Sequence, residues 1–462
     1  MPRAGAEPNV QMTELSESAQ RAVAAATAAG AGEAEAFAAR DSGREVRVHG
    51  GEVESLTAAT QTGIGVRAWI GHRVGYAYGT DLSETGVAEI AARAAAAAAV
   101  ADEDEFAAPP GPAPVEAIAG LSDPGLAAAN AEEVAAIALA VERTALGADS
   151  RIAGVEQAVY ADSAEQVAIA SSTGVAGEYE TSSCYAYLQA LAEGGDGSRE
   201  TGLGFGLARG PGGLDPEAIG SEGAARALAM IGAGKPSSRS CPVVLDPTVA
   251  ASFAGLVGGT LAASAVQRGR SPFAGRLGDE LAGSALVLHD DGRDPEGPAS
   301  APFDGEGVPR RRTPLLEGGR LRAYLYDTYT ANREGGASTG NAARSGYRSL
   351  PTVAPTNLVV AAGEISLADL LAEAGEGVYV TDVAGLHSGV NPVTGVFSVG
   401  ASGRAISGGE LAEPLREFTI AGDLLALLGQ VEAAGSDARW VPFGGSVKTP
   451  SLLVAELAIS GS

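Results

Sequence analysis

The sequence predicts an α+β protein, with antiparallel or mixed sheets flanked by helices, and three observations lead there. Period-two alternation broken by glycine turns marks strands: Ile64, Val66, Ala68 and Ile70 run outward, Gly71-His72 turns, and Val74, Tyr76 and Tyr78 return. Alanine-rich stretches of strong helix formers mark helices. The two kinds of segment come in runs, without the strict βα alternation of a doubly wound fold. Glycine, 65 of 462 residues, is about twice its usual ~7% share and shows no collagen-like period, as expected for many tight turns.

Residues 1 to 12 read as a frayed end and Glu14 to Ala29 as a helix. Glu45–His49 and Glu52–Thr60 flank Gly50-Gly51, a two-residue hairpin signal. After the 64–78 hairpin, Asp81 stands where it could cap an alanine-rich helix. The acidic, then proline-rich run ADEDEFAAPPGPAP (101–114) reads as linker. A second unit repeats the grammar: a helix at Ala131–Leu146, strands at Arg151–Tyr160, Gln166–Ser171, Gly177–Leu191 and Thr201–Leu207, and a helix at Pro216–Ile231. Past a boundary at Gly234–Pro242 comes a short strand, Val243–Leu245, and a helix of small residues reaching about Arg268. Later strands are expected at Leu286–His289, Asn357–Ala361, Val378–Thr381, Val396–Gly400 and Leu452–Ile459, and a helix at Asp423–Ala434 capped by Asp423. The expected division is an N-terminal helix–meander–helix unit (1–108), a linker (109–125), a second such unit (126–236) and a larger C-terminal α+β domain (237–462).

The net charge of −26, from 31 basic and 57 acidic residues, argues against a nucleic-acid surface, which needs clustered Lys and Arg. Cys184 and Cys241 form no CxxC pair and no disulfide framework, so a reduced compartment is expected. The start carries no apolar signal-peptide core, and the longest apolar run, Ala94–Ala101, is too short to span a bilayer. A cytoplasmic protein without membrane contact is the expectation.

The densest signals lie past Cys241: SPFAGRLGDE (271–280), DTYTANREGGASTGNAARS (327–345), NLVVAAGE (357–364), GVNPVTGVFSVGASG (389–403) and GGSVKTPSLLV (444–454). Together they resemble the TldD/PmbA family, the so-called modulators of DNA gyrase, over most of the chain. The resemblance implies a zinc peptidase whose catalytic members carry an HExxxH helix shortly before the SxFxG landmark. Counting back from Phe273 lands on Ala254 and Gly259 at the ligand positions and Gly255 at the general-base position, with the Val257-Gly258 pair retained. The family's third ligand, a Cys near the C-terminal glycine-rich segment, has no counterpart, since no Cys follows Cys241. Zinc requires imidazole, thiolate or carboxylate donors, and hydrolysis a base for the water; Ala and Gly supply neither.

The resemblance therefore narrows to the TldE (PmbA) half of a TldD/TldE heterodimer. A TldD-like HExxxH subunit would supply zinc, while this chain, holding no cofactor itself, would complete the chamber and bind unstructured or leader peptides. In the family the 327–345 stretch lies by the active cleft, which makes Asp327, Tyr329, Arg333, Ser338 and Asn341 candidates for a peptide channel or subunit interface. An exposed strand within Gly389–Gly403 could also add a peptide through main-chain hydrogen bonds; the plainer reading is an internal hairpin.

Rival readings stand beside this one. Gly336-Ala337-Ser338-Thr339-Gly340 matches GxSxG, with Asp369 or Asp382 and then His387 in hydrolase order, so Ser338 is the candidate for a non-zinc nucleophile. That elbow needs a strand before the serine and a helix after it. A stand-alone homo-oligomeric peptide-binding protein and an unorthodox zinc site are the others. His49, His72, His289 and His387 are scattered at unrelated spacings. His289-Asp290-Asp291 could bind a hard cation or be a solvated loop, and Arg310-Arg311-Arg312 could dock an acidic peptide or likewise be solvated.

Overall fold

Three Gly-Gly pairs set the hairpin registers. Gly50-Gly51, Gly318-Gly319 and Gly408-Gly409 have φ of 64°/81°, 57°/76° and 59°/81°, the double positive φ that a two-residue type I′ turn needs and that glycine adopts without strain. The computed structural model describes residues 13–442 and 445–461; the expected frayed end at 1–12 lies outside them.

The N-terminal half begins with α1 (Glu14–Ala28), then β1 (Glu33–His49), β2 (Glu52–Ile70), β3 (Arg73–Gly79) and α2 (Glu84–Val100). Ser83, not Asp81, caps α2: its side chain accepts from Gly86 N, while Asp81 Oδ1 accepts from Ser83 N at 2.9 Å and fixes the turn before the cap. After the linker come α3 (Pro124–Ala128), α4 (Ala131–Ala148), β4 (Ile152–Ser171), β5 (Ala176–Glu193), β6 (Arg199–Ala208) and α5 (Pro216–Ala229). The two expected units share one antiparallel sheet, ordered β3-β2-β1-β4-β5-β6 and joined along β1–β4 from Glu35↔Ser171 to Val48↔Ala158. The segments expected as two strands, 151–160 and 166–171, are one: β4 runs on through Asp162, Ser163 and Glu165, whose polar face had read as a break. Glycine lets helices press on this sheet. A Cβ at Gly75 would stand 2.1 Å from Ala94 O in α2, and one at Gly204 2.1 Å from Ile219 O in α5.

The C-terminal domain starts with β7 (Arg239–Leu245), α6 (Pro247–Thr260) and α7 (Ala263–Gln267). There follow β8 (Leu288–Asp291), β9 (Arg312–Glu317), β10 (Arg320–Leu321), α8 (Thr328–Arg333), β11 (Ala342–Ala343), β12 (Thr352–Val353) and β13 (Asn357–Val360). Then come α9 (Leu367–Ala374), β14 (Gly377–Ala384), α10 (Leu386–Gly389), β15 (Val396–Ser407), β16 (Glu410–Asp423) and α11 (Leu424–Gly429). The chain ends with β17 (Val431–Ala434), β18 (Arg439–Val441), β19 (Ser446–Thr449) and β20 (Leu452–Ser460). One six-stranded sheet is ordered β16-β15-β14-β7-β20-β17, and an extra β16–β20 pairing closes five of its strands into a ring. The other is β10-β9-β8-β13-β19-β18. Both are mixed, through parallel β7–β14 and β13–β19. The helix expected over 423–434 is only α11. Asp423 does cap it, accepting from Leu425 N at 2.9 Å, but Val431–Ala434 then pairs with β20.

A buried charge cluster joins the two halves. Glu35 of β1 lies opposite Arg67 of β2, and their side chains meet at 2.5 Å. Arg67 also pairs with Glu306 at 3.0 Å, and Arg344 reaches Glu35 at 2.5 Å. Burial alone would push Arg67 below its ordinary value; Glu35 and Glu306 outweigh it and raise it. Burial pushes Glu306 up, but Arg67 and the Thr328 hydrogen bonds outweigh it and hold it below its ordinary value. The neighbouring Asp304, fully buried, is pushed up to about 7 by burial and then by Glu306.

Arg67→Met leaves Glu306 and Glu35 short of a cation, so a loss of roughly 3–5 kcal/mol is expected in urea unfolding; a loss below about 1 kcal/mol would mean the cluster does not bind the halves. Asp304 has a folded-state pKa above its unfolded one, so its contribution is full below about pH 4 and is lost as pH rises toward 7. Asp304→Asn should be the less stable chain at low pH, because the acid's hydroxyl oxygen can still accept where the amide NH2 can only donate, among the amides of Glu306, Val308 and Ala342. The gap should narrow between pH 4 and pH 7, measured by urea unfolding at stepped pH.

Candidate functional site

Helix α6 is the centre of the C-terminal domain. Asp246 caps it, accepting from Thr248 N at 2.9 Å, and Pro247 fits the first turn, where no amide hydrogen is needed. Asp246 also accepts from Tyr379 Oη at 2.8 Å and pairs with Arg226 of α5 at 3.2 Å, which fixes the helix start against both halves. Val249, Phe253 and Val257, spaced by four, form a buried stripe. The helix packs on β7 and β14 of one sheet and on β13, β18 and β19 of the other.

The opposite stripe, Ser252, Gly255, Leu256 and Gly259, repeats at three, four and seven residues and lines a groove of about 650 Å³. Leu386, Val390 and Pro392 form one wall of it, and Leu424 and Ala265 contribute further apolar surface. Two of the three positions expected for a metal site therefore face open space, while Ala254 is buried in the core. A Cβ at Gly259 would meet nothing within 4 Å; at Gly258 it would stand 2.3 Å from Leu358 Cδ1.

The hydroxyls that line the groove are bonded within the helix. The Ser252 hydroxyl donates to Thr248 O at 3.1 Å and that of Thr260 to Val257 O at 2.8 Å, so both are engaged by their own helix. Arg270, exposed at the rim, has no ion pair among the described residues. The zinc implied by the resemblance does not fit. The groove offers no His, Cys, Asp or Glu, and among the described residues no three such side chains converge to hold a metal.

The 327–345 stretch is knitted mainly to the fold itself. Asp327 caps α8, with Oδ1 accepting from Thr330 N at 2.8 Å and from Thr330 Oγ1 at 2.6 Å. Tyr329 Oη donates to Asp104 at 2.9 Å, and the Arg333 guanidinium lies 5.8 Å from the Phe106 ring centroid, so both hold the acidic linker. Asn341 Nδ2 donates to Asp290 at 2.7 Å. Ser338 Oγ donates to Tyr326 O and accepts from Gly340 N, each at 3.1 Å. No strand precedes Ser338, since α8 and a loop do, and the two-residue β11 follows it, so the nucleophile elbow is not formed. Asp327 and Tyr329 also line a smaller cavity against Trp69 of β2.

Other expectations change. Within Val396–Ser407, Gly400–Ile406 is paired on both sides, by β14 and β16, as in an internal hairpin, while Val396–Val399 pairs with β16 and is otherwise bridged only at Phe397, by Val390. His289-Asp290-Asp291 is strand β8, not a solvated loop: Asp290, pushed up to about 6 by burial, accepts from Asn341 and from Thr356 N at 2.6 Å. The arginine cluster is tethered although Arg311 and Arg312 stay exposed to solvent, as the solvated reading expected. Arg310 donates to Ala299 O, Arg311 to Ser338 O at 3.0 Å, and Arg312 meets His289 Nδ1 at 3.4 Å. Sequence reasoning missed Glu35, Arg67 and Glu306, whose pairing spans the chain, and the groove wall of Leu386, Val390, Pro392 and Leu424.

Comparison with known proteins agrees with this architecture. Residues 34–99, 124–231 and 238–461 match, in order, domain 1, the central domain and the C-terminal domain of the PmbA/TldA metallopeptidases. The metalloprotease PmbA of Escherichia coli O157:H7 is 28% identical over 434 residues, covering 93% of this chain and 92% of that protein. The metalloprotease PmbA homolog of Haemophilus influenzae is 28% identical over 466 residues, 98% and 97% of the two chains. A putative modulator of a DNA gyrase from Thermotoga maritima superposes with a TM-score of 0.88 at 26% identity, covering 96% of this chain and 99% of that one. TldE from Thermococcus kodakarensis shares the fold, with a TM-score of 0.86 at 23% identity, over 96% and 100%.

The adjacent glycines of α6 should respond oppositely to a methyl group. Gly258→Ala forces Leu358 aside and should cost about 1–3 kcal/mol, whereas Gly259→Ala should be neutral or stabilising by up to about 1 kcal/mol. Thermal unfolding of the two variants checks this, and equal losses would mean that the groove face is packed.

Proposed function

This chain belongs to the PmbA/TldA metallopeptidase family, and we propose that it serves there as the subunit without the metal, the TldE-like half of a heterodimeric peptidase. A TldD-like HExxxH subunit supplies zinc, its water and the general base. This chain completes the chamber and holds extended peptides, unstructured chains or leader segments, for cleavage by its partner.

The observation that carries this reading is the exposed stripe of α6. Where the resemblance places ligands and a base, Gly255 and Gly259 open onto a largely apolar groove that has no metal-ligating side chain and whose two hydroxyls are bonded within α6, yet it has room for several side chains. The groove walls suit apolar residues of an extended chain, and Arg270 at the rim suits a carboxylate. The acidic composition supports a peptide ligand over a nucleic acid. No helix among the described residues is long and apolar enough to cross a membrane; a cytoplasmic location is part of the proposal.

The test is hydrolysis of an unstructured peptide by this chain, by an HExxxH-bearing sister, and by the two mixed. Activity is expected only in the mixture and should vanish with a chelator. Gly259→Phe, which fills the groove without a clash at Cβ, should lower kcat/KM of the mixture by about tenfold or more, the scale of one buried side-chain contact. Activity of this chain alone, or a sister equally active without it, would overturn the assignment.

A further inference from the structure

The first sheet has an edge that no described segment of the chain covers. Strand β2 pairs with β1 along its whole length, but β3 flanks only Ile64–Ile70. Beyond the end of β3, the outer edge of β2 from Glu52 to Gly63 meets no other strand among the described residues. Within it Ser55–Gln61, Ser-Leu-Thr-Ala-Ala-Thr-Gln, is exposed throughout, with Leu56 at 43%. Every second residue there turns its N–H and C=O outward, away from β1, and none of these groups is bonded to protein among the described residues.

Exposed edges are normally blunted by charge, proline or a bulge. Strand β2 has such devices only near the hairpin tip. Glu52 and Glu54 carry charge there, and the register shift between Arg47 and Val48 leaves Glu54 as an extra residue. From Ser55↔Arg47 to Gln61↔Asp41 the register runs unbroken, with no charge, proline or glycine on the β2 side. A flat edge of this kind is a template for another strand. The same edge is present on every copy of the chain and is already ordered, so pairing two copies avoids the entropy that fixing a free peptide would cost.

We propose that two copies of this chain pair edge to edge, antiparallel, through Ser55–Gln61 of β2, joining their first sheets into one. Symmetry fixes the register. Two antiparallel copies of one strand are related by a two-fold axis normal to the sheet, and opposed residues must share a face, so the axis passes through a residue and not between two. The exposed run is centred on Ala58. Ala58 then meets its own counterpart, Thr57 meets Ala59, Leu56 meets Thr60 and Ser55 meets Gln61. No like charges are opposed, since Glu54 falls opposite Thr62 and the two acidic tips lie at opposite ends of the pair. A parallel pairing in register would instead stack Glu52 on Glu52 and Glu54 on Glu54. The net charge of −26 on each chain repels at long range, so salt strengthens this contact. The pairing goes beyond the peptidase assignment, and its readout is mass, not activity.

Sedimentation equilibrium of the full chain tests the edge. A reversible monomer–dimer equilibrium is expected, shifted toward dimer as salt is raised. Leu56→Lys with Thr60→Lys opposes like charges twice across the axis and should weaken the dimer about tenfold or more, as should Leu56→Glu with Thr60→Glu. Both positions are exposed, so neither double variant disturbs the core. Mixing the two double variants sets opposite charges across both pairs and should restore a dimer that neither forms alone. A chain that stays monomeric at about 100 µM, a dimer untouched by both double variants, or a mixture no stronger than its components would overturn the proposal. So would a monomeric chain whose association with an HExxxH-bearing sister is lost in these variants, which would assign the edge to the sister.

Discussion

One guanidinium holds the molecule's two halves in register. Arg67 projects from β2, second from the edge of the N-terminal sheet, and its partners come from β1 and from a loop far along the chain, Glu35 and Glu306. Glu306 also accepts from Thr328 N at 2.9 Å, so the first turn of α8 is positioned by the same carboxylate. Arg344, paired with Glu35, brings the segment after the STGNA turn onto the sheet. A buried cluster of this kind adds little net stability over apolar packing, because desolvation offsets most of the Coulomb gain. Its effect is on geometry: an apolar contact tolerates sliding, whereas a guanidinium shared between two carboxylates does not. The cavity beside Trp69 exists because that cluster sets where α8 and the linker stand.

The C-terminal domain depends on a different constraint, the close packing of one helix between two sheets. Val249, Phe253 and Val257 are needed there whatever the opposite face of α6 carries. That division leaves Gly255 and Gly259 on the open face, where side chains can change without disturbing the packed one, while Ala254 lies in the core. The buried stripe anchors the helix, and the outer stripe is free to change. Glycine in a helix interior normally costs about 0.5–1 kcal/mol against alanine. At Gly258 the approach of Leu358 accounts for that cost; at Gly259 no packing does.

Much of this was legible in the sequence, for local reasons. Gly50-Gly51 and the 64–78 alternation gave the first meander because hairpins are set by adjacent residues, and Asp423 was correctly read as a cap. The same Gly-Gly signal at Gly408-Gly409 was passed over, and with it β16, since Pro414 and scattered charges mask its alternation. Asp423–Ala434 read as helix because five leucines and alanines precede Val431, yet pairing with β20 overrides that propensity. The position of α6 could be counted from a landmark, but its groove could not: Leu386 and Leu424 lie more than a hundred residues away and meet α6 only in the folded chain. Arg311 and Arg312 are exposed, as the sequence suggests, but the tethers of the arginine run 310–312 were not legible because its partners, Ala299 O, Ser338 O and His289, are likewise non-local.

The two sites divide naturally by chemistry. The α6 groove is apolar, open and without acid or base, so it suits the body of an extended chain whose sequence matters little. The cavity by Trp69 is smaller and lined by the carboxyl-bearing Asp102, Asp104, Glu306 and Asp327. Both border the short α7–α8 region: Ala265 of α7 lines the groove, Tyr329 of α8 lines the cavity, and Gln267 Nε2 bonds Thr330 O at 2.8 Å between those helices. The 327–345 stretch thus stands between the groove and the cavity, fixed by its own hydrogen bonds to Thr330, Tyr326 and Asp290.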